Sequence, residues 1–448
     1  MKRIRNFFLI TTIFLLTLTS CIPDTPTEVS QEPVGEVPAE PAEDLTLLVW
    51  DQFYRPEESA VIDQLNREFE NDHPGVTIER ETKILDDLKL TVKLALAEAD
   101  GPDVAQVNQG RSDMGAMVEA DLLLPLNEYQ TQYNWANVFG TSVASRNSFT
   151  PDGKTFGQGN LYGVSPTAEV VGVFYNKGIF AENGWSVPTT FEDFEQLLAD
   201  IKAAGITPIA FGSLDGWNAI HEFSAIQHLL VSLDYINNLT YGVNNVSFDT
   251  PENIEAARII YDWAQAGYFT DGYSGIGYDD SNNQFKAGEG AMTITGSWFA
   301  PELLTGTDQD FGFFLLPGFS GQATVAIGGV GIPYSIRKTT EHPDIAAEYL
   351  NWMISPRAAE LWAGIGMLPA MSLPEGSDVD TDNLFGETLF AWDTINTNNA
   401  VGHYIDWATP TFYDTLVAEL QKLLGSVSTP AEFTVAVEAD YAQFLQGQ

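Results

Sequence analysis

From Leu45 onward the chain alternates short apolar runs with longer segments in which apolar residues recur every third or fourth position. Strands followed by amphipathic helices satisfy both periods, and strands joined through helices lie parallel. The alternation therefore predicts an α/β fold with largely parallel sheets. "LTLLVW" is a nearly continuous apolar strand, and Pro56 and Glu57 open a helix on which Val61, Leu65 and Phe69 form one face. "HPG" at 73–75 stops that helix before the strand "VTIER". The helix "LDDLKLTVKLALAEAD" closes at Gly101-Pro102 ahead of the strand "DVAQVN". Further on, "TTFEDFEQLLADIKAAG" starts on a Thr cap and ends at Gly205, "ITPIAFG" reads as a strand, and "HPDIAAEYLNWMIS" and "TPTFYDTLVAELQKLLG" read as late helices. No fixed-period repeat interrupts this order.

The 448 residues include one cysteine, Cys21, so no intramolecular disulfide staples the fold and a packed core must hold it. Upstream of it stand Lys2, Arg3 and Arg5 and the apolar run "FFLITTIFLLTLT", the pattern of an export signal over 1–20. Leu18-Thr19-Ser20-Cys21 resembles the bacterial lipobox, which implies a lipid on Cys21 and a membrane anchor; an ordinary signal peptide with an incidental cysteine is the other reading. Residues 22–44 hold five prolines, seven acids and no Lys or Arg, a composition that extends and repels itself as a tether. The expected location is the cell envelope, as an exported lipoprotein at the outer face of the cytoplasmic membrane or in the periplasm. A formal charge of −42 argues against nucleic acid or an anionic membrane surface as partner, because both require a basic face. Most of the acids read as solvated exterior.

Five segments, in order, carry a resemblance. They are "LTLLVWDQFYRPEESAVIDQLNREFENDHPGVTIE", "GPDVAQVNQGRSDMGAMVEADLLLPLNEY", "LYGVSPTAEVVGVFYNKGIFAENGWSVPTTFEDF", "FKAGEGAMTITGSW", and the run from "DFGFFLLPG" through "GGVGIPYSIRKTTEHPDIAAEYLNWMISPRAAELWA". Together they resemble the extracellular solute-binding proteins of ABC importers, specifically the sugar-binding, maltodextrin-binding-protein-like group. The resemblance implies a two-lobed periplasmic-binding-protein-like fold (type II) with the lobes joined by a multi-strand hinge. It places lobe 1 at 45–165 and 330–367 and lobe 2 at 166–329 and 368–448. Crossings are expected near Val164–Glu169, Gly328–Gly331 and Gly366–Ala370, with Gly328-Gly329 free to change φ and ψ as the lobes move. Its implied partners are a carbohydrate ligand and the transmembrane subunits of a permease, with the protein acting as a monomer, without cofactor or metal.

A sugar presents apolar C–H faces and a rim of hydroxyls, so its site needs aromatic platforms beside carboxylates, amides or Arg. Loops after strand ends offer Trp50, Asp51, Gln109, Arg111, Asp113, Asp215 and Trp217. The resemblance adds Glu169 in the first crossing, Gly329 in the return, a stacking Trp298, and Trp407 and Tyr413 near the late helix. Packing against the core is the competing role for each tryptophan, and Trp263 and Trp352 have helical spacing that favours it. Asp279 and Asp280 read as a loop capping the next helix. Enzymatic motifs do not appear: there is no GxSxG elbow, no P-loop and no HExxH, and His221 and His228 stand seven apart on a predicted helix without a third ligand. Two alternatives stay open, a polyamine or other cation bound on the same fold, and a surface-anchored glycan-degrading enzyme.

Overall fold

The structure, a computed structural model, describes residues 45–138 and 144–447. The export signal, Cys21 and the tether lie outside the described residues. The strands in chain order are β1 (Leu45–Asp51), β2 (Val76–Thr82), β3 (Val104–Gln106), β4 (Ser148–Phe149), β5 (Asn160–Leu161), β6 (Ala168–Asn176), β7 (Met292–Gly296), β8 (Phe311–Phe314), β9 (Ala326–Val330), β10 (Tyr334–Ile336) and β11 (Val401–Gly402).

The first sheet has the order β10-β3-β1-β2. β1 pairs parallel with β2, Leu45 opposite Val76 through Asp51 opposite Thr82, and β10 closes the other edge antiparallel to β3. Along β1 the side chains of Leu47, Val49 and Asp51 share the buried face. The helix Pro56–Asp72 covers this layer with Val61, Ile62, Leu65 and Phe69, the stripe that the fourfold spacing predicts. Pro56 suits its first turn, where an N–H would have no partner, and Glu57 and Glu58 complement the positive end of the helix.

The second sheet runs β11-β9-β6-β7, with β8 also on β6. Here the expectation of parallel pairing fails around one strand. β6 is antiparallel to β7, β8 and β9 alike, because it enters the sheet from the opposite direction to the strands that follow. The predicted strand "ITPIAFG" forms only single bridges, Ile209 to Phe269 and to Met292. Helix Phe191–Ala203 forms as read, with the Thr190 hydroxyl accepting from the Asp193 N–H.

Three segments run side by side between the two sheets. Val164 and Tyr334 exchange both backbone hydrogen bonds at 2.9 Å, Gly331 N donates to Thr167 O at 2.9 Å, and Ala168 N donates to Leu368 O at 2.8 Å. Among the described residues three apolar clusters fill the body, one under the first sheet, one on the second, and one that runs from Ala105 of β3 to Val171 and Val173 of β6; Trp298 packs against all three. Trp263 is buried in the second sheet's core, as its spacing predicts.

Candidate ligand cleft

The loops that follow β1, β3 and β7 and the segments joining the sheets surround one cavity of about 320 Å³. Its second-sheet wall is aromatic. Trp217 opens the helix Trp217–Leu230 and places His221 one turn on, on the same face. The Trp217 ring lies 4.4 Å from Tyr278 and 6.3 Å from Trp298, while His221 lies 5.2 Å from Tyr404, itself 5.0 Å from Trp407. Trp298 Nε1 donates to the Tyr278 hydroxyl at 2.8 Å, and that hydroxyl meets Thr295 Oγ1 at 2.8 Å, so the indole is locked in place. Gly296 makes this geometry accessible: a Cβ there would overlap the Trp298 ring.

The opposite wall is polar: Gln52, Tyr54, Arg55, Glu58, Asp86, Lys89 and Asn108. At the mouth, Tyr54 Oη donates to Asp279 at 2.8 Å, and Arg55 pairs with Asp279 at 2.7 Å and Glu302 at 2.6 Å. At the other end Lys89 sits 4.0 Å over the Tyr413 ring and 3.4 Å from Asp113. Glu169 accepts from the Tyr404 hydroxyl at 2.7 Å; burial pushes its carboxyl up to about 7, against Tyr404 and Arg146, which pull it down. Burial likewise pushes Glu58 up to about 8 and Asp406 up to about 6, and holds His221 down to about 3, so that imidazole is neutral near pH 7. Among the described residues no group of three or more His, Cys, Asp or Glu is placed to hold a metal ion.

Of the residues singled out in the sequence, Gln109, Glu169, Asp215, Trp217, Trp298, Trp407 and Tyr413 line the cavity. Gln109 turns its amide away from the opening, donating to Val330 O and Gly331 O at 3.1 and 3.0 Å. Asp215 accepts from the Tyr278 N–H at 2.6 Å. Five others sit elsewhere. Asp51 is fully buried and accepts two hydrogen bonds from Arg80, at 2.7 and 2.8 Å. Trp50 lies on the other face of β1 with Lys83 over its ring at 4.1 Å. Arg111 donates to four backbone carbonyls, Thr240 at 2.7 Å, Ala408 at 2.8 Å, Tyr241 at 2.8 Å and Trp407 at 3.5 Å. Asp113 accepts from Asn108 at 2.8 Å. Gly329 leaves room for the Arg146 guanidinium, which donates to Gly328 O.

Sequence reasoning passed over Arg55, Glu58, Tyr278, Asp279, Tyr404 and Asp406. Asp279 and Asp280 are not a capping loop but the first turn of helix Tyr278–Lys286, opening onto the cavity. The available signal was the "GYDDSNNQF" helix start beside Trp298 and the two acid-bearing turns flanking Trp217 and Trp407.

Residues 55–360 match the model of the bacterial extracellular solute-binding proteins. The chain belongs to that family. This solute-binding protein is 24% identical over 328 residues to the "Multiple sugar-binding protein" of Streptococcus mutans serotype c (strain ATCC 700610 / UA159), covering 70% of this chain and 73% of the relative. It is 26% identical over 199 residues to the sn-glycerol-3-phosphate-binding periplasmic protein UgpB of Escherichia coli (strain K12), covering 42% and 44%. Its structure is similar to that of a chitin oligosaccharide binding protein, with TM-score 0.77 and 22% identity over 90% of this chain and 99% of that one. The fold is thus the two-lobed periplasmic-binding-protein type, its lobes joined by a multi-strand hinge. Among the described residues no helix is long and apolar enough to cross a membrane.

Proposed function

We propose that this solute-binding protein captures a small carbohydrate in the cleft between its lobes and delivers it to the transmembrane subunits of an ABC importer. The observation that carries this reading is the wall formed by Trp217, Tyr278 and Trp298, which faces carboxyl and amide groups across a cavity of about 320 Å³. Aromatic faces cover the C–H face of a pyranose, and the polar rim takes its hydroxyls. The names of the streptococcal relative and of the chitin oligosaccharide binder agree with a sugar.

The glycerol-phosphate relative is less informative for this cleft. A phosphate calls for free cationic donors, and the two basic side chains lining the cavity are engaged, Arg55 by Asp279 and Glu302 and Lys89 by Asp113.

Lobe 1 is assigned to 45–165 and 330–367 and lobe 2 to 166–329 and 368–448. On that division the Arg55 bridges to Asp279 and Glu302 join the two lobes across the mouth. A ligand touching both walls adds to these contacts only when the lobes are shut, so its differential affinity selects the closed state. Binding in place of chemistry, a monomeric state and a lipid on Cys21 that tethers the body at the cell envelope complete the proposal. Micromolar affinity corresponds to about −8 kcal/mol, within reach of two stacking rings and several hydroxyl hydrogen bonds.

Thermal unfolding of the chain from Leu45 onward, read against a panel of mono- and oligosaccharides, tests it. Ligand at a hundredfold its Kd stabilises by about 2.7 kcal/mol. A rise with one class of sugar that disappears in Trp298→Ala is the expected result. Stabilisation by polyamines alone, or slow glycan cleavage without a shift, overturns the reading.

A further inference from the structure

The cavity's charge is lopsided. Among the described residues seven carboxyl side chains line it against two cationic ones, and both cations are already paired. An acidic lining by itself specifies nothing, because hydroxyls also bind to carboxylates. Glu58 adds a separate observation. It lines the cavity from the first turn of helix Pro56–Asp72, is only 4% exposed, and its Oε2 has no hydrogen-bond partner. A buried polar oxygen left unpaired is costly, and because Glu58 lines the cavity a ligand there is placed to complete it. The neighbours that face Glu58 do not complete it. Arg55 directs its guanidinium to Asp279 and Glu302, and Asp51, behind it on β1, is taken by Arg80.

We infer that the cleft is built for a sugar carrying a cationic nitrogen, an amino sugar, whose ammonium group is received by the Glu58 carboxylate while its ring lies on the aromatic wall. This rests on the sugar-binding reading above. An ammonium donates three hydrogen bonds and no acceptor is needed from it, which matches a lining rich in acceptors and without a free cation. Trp217, Tyr278 and Trp298 offer ring faces that attract a cation as well as a C–H surface. In the empty cleft burial holds Glu58 protonated near neutral pH, with Glu302 and Asp51 acting in the same sense and Arg55 opposing. An ammonium ligand supplies the counter-charge that lets that carboxyl ionise. Arg111, the cation that the sequence offers near the cleft, is spent on the carbonyls of Thr240, Tyr241 and Ala408 and does not line the cavity.

The test is calorimetric titration with glucosamine, galactosamine, a chitosan disaccharide and, as a cation that is not a sugar, spermidine. Glucose, galactose, N-acetylglucosamine and chitobiose serve as uncharged partners of similar shape. The expected result is that amines bind about 10- to 100-fold more tightly than their uncharged partners, as a charge-assisted hydrogen bond to a buried carboxylate provides. Glu58→Gln then removes most of that preference, bringing the ratio of amine to uncharged-sugar affinity close to one. The wild-type comparison stands even if the variant folds poorly. Equal or tighter binding of the uncharged sugars overturns the inference and leaves the sugar reading intact. A preference for amines that survives in a folded Glu58→Gln variant overturns the assignment to Glu58. Binding of spermidine with no response to any sugar, or no binding at all, overturns both.

Discussion

Asp51→Asn separates scaffold from site at the position where the sequence was most misleading. Asp51 ends β1, next to a loop that lines the cleft, yet its carboxylate is fully buried and paired with Arg80 at 2.7 and 2.8 Å, with the Phe53 N–H as a third donor at 2.9 Å. Asn keeps the shape and removes the charge. Breaking a buried pair from one side costs about 3–5 kcal/mol, since the other charge stays behind. Arg80 keeps Asp63 at 3.0 Å and Ser59 at 2.8 Å, so the lower end of that range applies. With an unfolding entropy of about 2.1 cal/mol/K per residue over roughly 400 residues, about 3 kcal/mol lowers Tm by about 3–4 °C. The ligand-induced rise, about 2.7 kcal/mol at a hundredfold Kd, is expected to be the same in both proteins. The assay is differential scanning fluorimetry with and without the best sugar. An unchanged Tm together with a lost ligand shift refutes the reasoning, because Asp51 would then be reaching the ligand.

Three further outcomes follow from the same geometry. Glu58 and Glu169, pushed up to about 8 and about 7, hold protons in the folded chain that the unfolded chain releases from about pH 4.5 upward. Stability therefore falls as pH rises toward 8. His221 and His228, held down to about 3 and about 4, contribute with the opposite sign, but only below about pH 6.5. Tm is expected to drop between pH 6.5 and 8, and Glu58→Gln to flatten that drop; a slope identical in the variant counts against the burial of Glu58. Gly296→Ala, at an ordinary φ of −82°, displaces the Trp298 indole without straining the backbone, so sugar affinity is expected to fall at least tenfold by calorimetry; unchanged affinity removes Trp298 from the site. Arg111→Lys leaves at least one of four carbonyls unpaired, because an ammonium cannot reproduce the guanidinium fork. A loss of about 1–3 kcal/mol in denaturant unfolding, with the order of sugar preference retained, is the expected outcome. A changed order of preference places Arg111 at the ligand.

What was legible in the sequence is what neighbours along the chain determine. The stripe Val61, Leu65, Phe69 fixed the inner face of the first helix, and Thr190 fixed the start of another. Trp298 was reached through the resemblance that "FKAGEGAMTITGSW" carries, a contiguous segment. Asp279 and Asp280 were misread locally, at a helix start, and most of the other errors involve partners remote in the chain. Arg80 reaches Asp51 only through the register that sets Val49 opposite Arg80 and puts Asp51 two residues further along the same face of β1. Arg111 finds its carbonyls 129 and 297 residues away, beyond any local pattern. The antiparallel β6 was hidden for the same reason, since strand direction is decided by where the crossing segments enter the second sheet.

The net charge of −42 illustrates how position changes the meaning of a composition. Solvated acids on the exterior are screened within about 10 Å and specify no partner. Carboxyls in the cleft are not so screened, and burial raises Glu58, Glu169 and Asp406 together. Amides would accept the same sugar hydroxyls at those positions with no desolvation penalty for charge, and the chain does use Gln52, Asn108 and Gln109 on the same lining. A neutral ligand's hydroxyls gain a stronger hydrogen bond from an ionised acid than from an amide, and a cationic ligand gains the charge–charge interaction besides. Glu169, Asp215 and Asp279 already have protein donors, whereas Glu58 Oε2 has none, and on the proposal above a ligand of opposite charge completes it.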